Sequence, residues 1–307
     1  MIRRRSLLTQ GIFVLSLFAA VSAQASPAVV MPSPEPDCAG FLPPPKAQLQ
    51  KTIQEQTQRI QNEPNDAAAY VERGIAWGDQ GEHDKAIDDF NHAIQLDPLY
   101  ASAYFNRGFD LEAKGELGKA FTDYRKALTL DPALTDAYVG LGRVLAERGN
   151  YRKAVLLFSQ AIQLDPNYDE AYYDRALAYD DLGDFKSASE DYKKAIAFNA
   201  NDACAHNNLA LDQQAMGDKD GALSNFNQAV ALDPRLTVAF ANRGALYAQM
   251  GQPAQALADY DHAIDMEPSW PGLYFERGAV RLSQKQYGPY AADMWTGFLK
   301  KWTAPKT

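Results

Sequence analysis

From residue 67 onward, apolar positions recur at helical spacing in short blocks, with a stop between successive blocks. One kind of stop is a glycine, which readily adopts the left-handed conformation just past a helix end, and it occurs at Gly81, Gly115, Gly149, Gly183, Gly217 and Gly251. The other is a proline, which ends a helix, and it occurs at Pro98, Pro132, Pro166, Pro234 and Pro268. The pattern predicts successive pairs of helices, each helix about a dozen residues long.

The predicted helix pairs return every 34 residues without insertion or deletion, which is the sequence pattern of a solenoid. An aromatic residue recurs at Phe90, Tyr124, Phe158, Tyr192, Phe226 and Tyr260. Alanine recurs at Ala86, Ala120, Ala154, Ala188, Ala222 and Ala256, and again at Ala93, Ala127, Ala161, Ala195, Ala229 and Ala263. Small residues let helices approach closely, and burial of each ring contributes about 1.5–3 kcal/mol. One pair cannot bury its own apolar face, so stability comes from stacking.

Seven repeats are predicted, at 67–100, 101–134, 135–168, 169–202, 203–236, 237–270 and 271–304. The seventh is degraded, because Lys285 replaces the turn glycine and Tyr290 replaces the packing alanine. The fourth has Asn199 and Ala200 where Asp and Pro are expected, so a softer junction is predicted there. The polar segment 47–66 is interpreted as a leading helix that covers the open end of the array.

A family resemblance rests on residues at fixed positions of the repeat, such as Ala241-Asn242-Arg243-Gly244, Gly251, Ala256, Tyr260, Ala263 and Pro268. These residues resemble the signature of the tetratricopeptide repeat (TPR), and the match covers residues 67–302 in consecutive copies. The resemblance implies an all-α fold, a right-handed α–α superhelical solenoid of about seven TPR units. It also implies a surface that binds other proteins.

Two positions of the repeat change together, and this predicts a contact between them. Counting from the first residue of each repeat, arginine at position 7 accompanies aspartate at position 23. The pairs are Arg73 with Asp89, Arg107 with Asp123, Arg175 with Asp191, Arg243 with Asp259 and Arg277 with Asp293. Where position 7 is leucine the partner also differs, as in Leu141 with Leu157 and Leu209 with Asn225. We therefore expect structural ion pairs that join the two helices of a repeat.

The N-terminus has the three parts of a secretory signal peptide. Arginines at 3–5 precede an apolar stretch at 11–21, and small residues at 23–25 precede a cleavage site after Ala25. A retained membrane anchor is less favoured, because about 11 apolar residues are too few to span a bilayer. The paired arginines also resemble a twin-arginine signal. Residues 26–46 are rich in proline and are interpreted as a linker. The mature protein is expected to be periplasmic or secreted.

The balance of charge indicates which partners to expect. The formal net charge is −9, and cleavage would remove arginines and no acid. An acidic surface repels phosphate backbones and anionic membranes, so nucleic acid is an unfavoured partner. A protein or peptide segment with basic and apolar side chains is favoured instead. Export permits a disulfide between Cys38 and Cys204, but two separate thiols fit the sequence equally well.

No motif in the chain predicts catalysis, a metal site or a cofactor. His83, His92, His206 and His262 lack the spacing of metal ligands. There is also no nucleophile elbow, phosphate-binding loop or dinucleotide fingerprint. The sequence therefore predicts a binding protein and not an enzyme.

The resemblance implies that the first helices line a concave groove, with positions 2, 5, 9, 12 and 13 facing it. The predicted groove residues are Phe105, Phe109, Glu112, Asp136, Arg143, Glu147, Glu170, Tyr173, Asp180, Asp181 and Asn207. Acids and apolar residues dominate the first four repeats, with Arg143 as their single cation. The alternative is that these acids only solvate the inner face. Lysine and asparagine, with which some family members bind a terminal carboxylate, are absent from positions 5 and 9 of the first two repeats.

The last predicted helix has Trp295, Phe298, Leu299 and Trp302. These apolar residues are expected to close the end of the core as a cap. The alternative is an exposed apolar patch for a partner or for a second copy. The resulting functional hypothesis is a scaffold or adaptor of the cell envelope. Self-assembly through this helix, making a homo-oligomer, and recognition of glycan or peptidoglycan are the alternatives.

Overall fold

The computed structural model describes residues 44–303, and this part of the chain is all-α, with fifteen helices and no strand. The helices are α1 (Lys46–Asn62), α2 (Ala67–Asp79), α3 (His83–Leu96), α4 (Ala101–Ala113), α5 (Leu117–Leu130), α6 (Thr135–Glu147), α7 (Tyr151–Leu164), α8 (Asp169–Asp181), α9 (Phe185–Phe198), α10 (Ala203–Ala215), α11 (Lys219–Leu232), α12 (Thr237–Gln249), α13 (Pro253–Met266), α14 (Pro271–Ser283) and α15 (Tyr287–Thr303). The predicted signal peptide and residues 26–43 of the predicted linker lie outside the described residues.

The chain divides into two compact units, and each is treated separately. The described part of the N-terminal unit is 44–184, with α1 to α8. The described part of the C-terminal unit is 185–303, with α9 to α15. The helices pair as α2 with α3, α4 with α5 and α6 with α7 in the N-terminal unit, and as α10 with α11, α12 with α13 and α14 with α15 in the C-terminal unit. Each first helix from α2 onward begins at the first residue of a predicted repeat. The predicted all-α repeat fold is confirmed.

The turn between the two helices of a repeat requires a left-handed residue. In the first six repeats this residue is glycine, with φ between 71° and 86°. In the seventh repeat it is Lys285, with φ of 59°. The degraded repeat therefore keeps its turn, although a side chain in this conformation costs roughly 1–2 kcal/mol.

The core of each repeat depends on a small residue that faces the aromatic ring. All six rings of the aromatic ladder are at most 1% exposed. A Cβ atom added at Gly74 would lie 2.7 Å from Phe90 Cε1, and one added at Gly142 would lie 2.5 Å from Phe158 Cε1. These distances are shorter than van der Waals contact, so position 8 must stay small where the ring packs in this way.

The junction that follows α9 keeps its form without proline. In the junctions after α3, α5, α7 and α11 an aspartate side chain accepts from the backbone two residues on, as Asp97 does from Leu99 N at 2.9 Å. Here Asn199 takes that role and accepts from Asn201 N at 3.3 Å. Asp202 then caps α10 by accepting from Cys204 N and Ala205 N at 3.0 and 2.9 Å. The stop therefore relies on side-chain acceptors.

The first and the last described helices differ in what they bury. Leu49 and Ile53 of α1 are each 6% exposed and pack with Ala76 and Trp77, as expected for a leading helix. The cap predicted for α15 is wrong for its three aromatic residues. Trp295, Phe298 and Trp302 are 64%, 52% and 79% exposed. They lie on the outer side of α15 because they follow one another at spacings of three and four residues along a single helix face.

Candidate functional site

The ion pairs that the covariation predicts are formed wherever both residues lie in the same unit. The arginine Nε and Nη2 atoms donate to the two carboxylate oxygens at 2.6–3.2 Å in Arg73–Asp89, Arg107–Asp123, Arg243–Asp259 and Arg277–Asp293. Arg175 and Asp191 belong to different units, so that pair stays a prediction.

The sequence did not reveal the third bond of these arginines. Their Nη1 atoms donate to a side chain on the preceding helix pair or leading helix, as Arg107 does to Asn91 Oδ1 at 2.7 Å. Arg73, Arg175, Arg243 and Arg277 make the equivalent bond to Thr57, Ser159, Asn227 and Asp261. Each arginine therefore ties its repeat to the element before it, which makes this set structural.

The first helices of the N-terminal unit form a continuous layer, because α2, α4, α6 and α8 contact one another in order. We call the side of this layer that carries repeat positions 2, 5, 9, 12 and 13 the first-helix surface. Carboxylates from two helices converge there on Arg143 of α6. Its Nε atom donates to Glu112 Oε1 of α4 at 3.2 Å, and its Nη1 atom lies 3.8 Å from Asp174 Oδ2 of α8.

Arg143 is held inside this acidic cluster. Its side chain is 16% exposed, and those of Glu112 and Asp174 are 12% and 8% exposed. The hydroxyl of Tyr124 donates to Glu112 Oε2 at 2.5 Å. Burial works against the charge of Arg143, but Glu112 and Asp174 more than offset it and raise its pKa. The single cation predicted for the groove is therefore neutralised by its own chain.

A second group of acids lies between α2, α3 and α4. Asp110 is 2% exposed, and its Oδ1 atom lies 2.6 Å from His83 Nδ1. Burial raises the pKa of Asp110 to about 6, the contact with His83 opposes this rise, and the charge of Asp79 adds to it. Burial also raises the pKa of Asp79. A carboxyl whose pKa is raised by folding stabilises the fold at low pH, and Asp110 loses that contribution as pH rises through about 6. Negative charge is therefore costly in this layer.

The predicted groove residues differ in how open they are. Asp136 and Asp181 are exposed, and Asp136 accepts from the Tyr168 hydroxyl at 2.6 Å. Phe105 is half-buried and packs on Tyr124 with ring centroids 5.8 Å apart. The other predicted groove residues that are half-buried are Phe109, Glu112, Arg143, Glu147, Glu170 and Asp180. The surface thus offers exposed acids beside partly covered apolar residues.

Two of the predicted groove residues are buried, which corrects the sequence analysis. Tyr173 is 3% exposed and Asn207 is 5% exposed. Asn207 instead accepts from Asn242 Nδ2 at 3.0 Å, and Gln214 Nε2 donates to Gln249 Oε1 at 2.9 Å. In the C-terminal unit, uncharged amides therefore link α10 to α12.

Residues 44–303 contain neither a metal-binding cluster nor a membrane-spanning helix. No group of three or more His, Cys, Asp or Glu side chains in this range could hold a metal ion. None of its helices combines the length and the apolar character that crossing a membrane requires.

Comparison with known families gives four matches. The model described as "TPR repeat" matches residues 78–109 and 142–183. Three models described as "Tetratricopeptide repeat" match residues 169–202, 101–134 and 238–269. No curated protein sequence matches the chain.

Solved structures with a similar fold include three with different degrees of coverage. The Cut9–Hcn1 hetero-tetramer of the APC/C gives a TM-score of 0.62 at 17% identity, with 85% of this chain and 51% of that chain covered, so this chain spans about half its length. PilF of Pseudomonas aeruginosa gives a TM-score of 0.61 at 19% identity, with 67% of this chain and 95% of that chain covered. YrrB, described as a TPR protein with an unusual peptide-binding site, gives 0.52 at 29% identity, with 64% and 97% covered.

Proposed function

Because the chain belongs to the tetratricopeptide-repeat family, we propose that it is a scaffold that binds a basic and apolar segment of a partner protein. The proposed binding site is the first-helix surface of the N-terminal unit. Proteins of this family serve in protein–protein interaction, and this general role fits a chain built from helix pairs. The partner's character and the place of action are the proposed parts.

The observation that carries the proposal is the excess of acid on the first-helix surface. Glu112 and Asp174 both contact Arg143, and Asp136 of α6 and Asp181 of α8 are exposed to solvent. Acids arranged in this way attract a cationic segment and set its register. Half-buried Phe105 and Phe109 supply apolar contact, and aromatic anchors often contribute most of the binding energy. The description of YrrB as a peptide-binding TPR protein supports the same class of ligand.

We further propose that the scaffold acts in the cell envelope or outside the cell and that it is not an enzyme. The export signal predicted at residues 1–25 supports the location. The absence of a catalytic motif from the sequence supports a binding role alone. Detection of the mature chain, beginning at Ser26, in the exported fraction of its native cell would test the location.

Neutralising exposed acids on the first-helix surface tests the binding site. We expect Asp136→Asn with Asp181→Asn to weaken binding of a fluorescein-labelled peptide of alternating lysine and leucine several-fold, because each exposed charge pair contributes about 0.2–1 kcal/mol. Fluorescence anisotropy gives the Kd. The affinity of the wild type should also fall as salt rises from about 0.05 to 0.5 M.

The matched control removes two negative charges elsewhere in the same unit. Glu55 of α1 and Asp88 of α3 are both exposed and lie away from the first-helix surface positions. The variant Glu55→Gln with Asp88→Asn should keep the wild-type Kd. Equal weakening by the two double variants would mean that only net charge matters, and the proposed surface would be rejected.

The exposed aromatic face of α15 supports a second candidate function, which is self-association. Trp295, Phe298 and Trp302 stack in series, with ring centroids 6.1 Å apart at each step. The corresponding helix of the sixth repeat, α13, has its face covered by α14, and Ile264 there is 8% exposed. Phe298, one repeat later, is 52% exposed. A second copy of α15 would cover this face with an apolar surface of the same kind.

A further inference from the structure

We propose that the C-terminal unit has a subsite for an arginine side chain of a bound segment, formed by the Glu276 carboxylate and the Tyr260 hydroxyl. The proposal deepens the proposed function, because it adds a specific position to the general preference for basic segments. All of its residues lie on α12, α13 and α14.

The Tyr260 hydroxyl is a buried polar group without a partner. Tyr260 is 1% exposed, and its hydroxyl oxygen has no hydrogen-bond partner within the described part of the chain. Glu276 is half-buried, and burial raises its pKa with no neighbouring cation to oppose the rise. Burial and the charge of Glu276 also raise the pKa of Tyr260, and the helices that carry the two residues, α13 and α14, pack against each other. A buried hydroxyl without a partner and a partly buried carboxylate favour a ligand that donates hydrogen bonds and brings positive charge.

The N-terminal unit shows how the same place in the repeat is satisfied. Three periods before Glu276 stands Asp174, which has Arg143 at 3.8 Å from its Oδ2 atom. Three periods after Arg143 the residue is Ala245, so the position that supplies a guanidinium to Asp174 supplies only a methyl group in the repeat before Glu276. The chain thus supplies its own cation at one site and leaves it out at the other.

A comparison of Tyr260 with Tyr124 also shows that the groups around Tyr260 are missing. Tyr124, four periods before Tyr260, donates to Glu112, which in turn accepts from Arg143. The residues four periods after Glu112 and Arg143 are Ala248 and Ala279, and both are exposed. Neither alanine has an acceptor or a cation to offer. The side chains that complete the first cluster are therefore missing from the second, and the space beside them opens to solvent.

Nearby charges do not replace the missing cation. Arg243 is bound to Asp259, and Arg277 and Arg281 are both bound to Asp293. In the proposed subsite, a partner arginine donates to the Glu276 carboxylate while this carboxylate accepts from the Tyr260 hydroxyl. Arginine suits this geometry better than lysine, because its planar guanidinium donates in fixed directions to carboxylate oxygens.

The subsite is tested without any partner by filling it from within the chain. We expect Ala245→Arg to raise the midpoint of thermal unfolding by roughly 2–4 °C, because the new guanidinium meets Glu276 as Arg143 meets Asp174. The gain should disappear in the Glu276→Gln background. Ala245→Met, which adds a long uncharged side chain, should give no increase that depends on Glu276. Equal gains with Glu276 and with Gln at this position would overturn the subsite.

Binding is tested with two fluorescein-labelled peptides of alanine and leucine, one with a central arginine and one with citrulline there. Wild-type protein should bind the arginine peptide roughly tenfold more tightly, since hydrogen bonds to a charged group depend on the charge that citrulline lacks. Glu276→Gln, and Ala245→Arg with its subsite filled, should both reduce this ratio to near one. A ratio unchanged by Glu276→Gln would reject the proposal.

The two proposals fail in different ways. If Asp136→Asn with Asp181→Asn weakens peptide binding but arginine and citrulline peptides bind alike, the first-helix surface is supported as a binding site and the subsite is rejected. If that double variant binds the peptide normally while Ala245→Arg stabilises only in the presence of Glu276, the subsite is supported and the first-helix surface is rejected. Tyr260→Phe, which keeps a ring found at Phe90, Phe158 and Phe226, should lower the arginine preference without unfolding the repeat.

Discussion

At the scale of single residues, the buried aspartate at position 23 determines what position 7 must be. The side chain of Asp123 is 7% exposed, and both of its oxygens accept from Arg107. A buried carboxylate that loses its cation costs about 3–5 kcal/mol, whereas replacing both partners with apolar residues is often neutral. Leu141 with Leu157 is such an apolar pair, one repeat further along.

The prediction is a strongly non-additive pair of substitutions. Arg107→Leu alone should lower the free energy of unfolding by about 3–5 kcal/mol, because Asp123 is left charged and buried. Arg107→Leu with Asp123→Leu should recover most of that loss, because the buried charge is gone. Urea unfolding of the wild type, both single variants and the double variant measures the coupling. Additive effects of the two single changes would contradict a direct ion pair.

Repetition decides which of these contacts can be read from the sequence. The Arg107–Asp123 contact is predictable because the same two positions change together in several repeats. The cluster around Arg143 occurs once, and its members Glu112 and Asp174 stand at different positions of their repeats. No internal comparison could have revealed it before the helices were placed in space. The proposed subsite at Glu276 emerges from a comparison of repeats only once the contacts of Arg143 with Glu112 and Asp174 are known.

At the scale of the helical element, the turn of the seventh repeat is the place where sequence and conformation disagree. Lys285 has φ of 59°, in the region that glycine adopts freely and that costs other residues roughly 1–2 kcal/mol. The helices α14 and α15 on either side of the turn pack against each other. This packing holds Lys285 in a conformation that lysine itself disfavours.

Replacing Lys285 by glycine should therefore stabilise the protein. We expect Lys285→Gly to raise the unfolding free energy by about 1 kcal/mol, less the small entropy that glycine adds to the unfolded chain. The reverse change at the equivalent residue, Gly251→Lys, should lower it by a similar amount, because Gly251 has φ of 71°. Chemical unfolding of the two variants beside the wild type gives both values. A destabilised Lys285→Gly would show that the lysine side chain makes contacts worth more than the strain.

Helix boundaries were predictable wherever glycine or proline marks them, because these residues act through the backbone and need no tertiary context. The boundary after α9 was not marked by glycine or proline. Side-chain acceptors form it instead: Asn199 follows the end of α9 and Asp202 caps the start of α10. The sequence pattern also could not predict whether the apolar face of α15 is buried or exposed. An apolar helix face predicts burial equally well against its own core or against another molecule, and Trp302 at 79% exposure indicates the second.

At the scale of the whole molecule, that exposed face predicts assembly. Trp295, Phe298 and Trp302 form one stacked stripe on α15, and contiguous exposed apolar residues of this kind favour an interface. A two-fold pairing of α15 with α15 would cover the stripe with its own kind, as an isologous interface requires. We expect the mature chain to show a concentration-dependent dimer in size-exclusion chromatography with light scattering.

Two matched double substitutions distinguish a specific interface on α15 from non-specific association through exposed apolar residues. Trp295→Ser with Trp302→Ser should leave a monomer at the concentration where wild type is dimeric, because both side chains are more than half exposed and add little to the fold. Leu99→Ser with Leu156→Ser removes two residues that are 72% and 66% exposed on the N-terminal unit, and it should leave the dimer intact. A wild-type chain that stays monomeric at several hundred micromolar would remove self-association as a function of α15. Retention of the dimer in the double tryptophan variant would place the interface on another face.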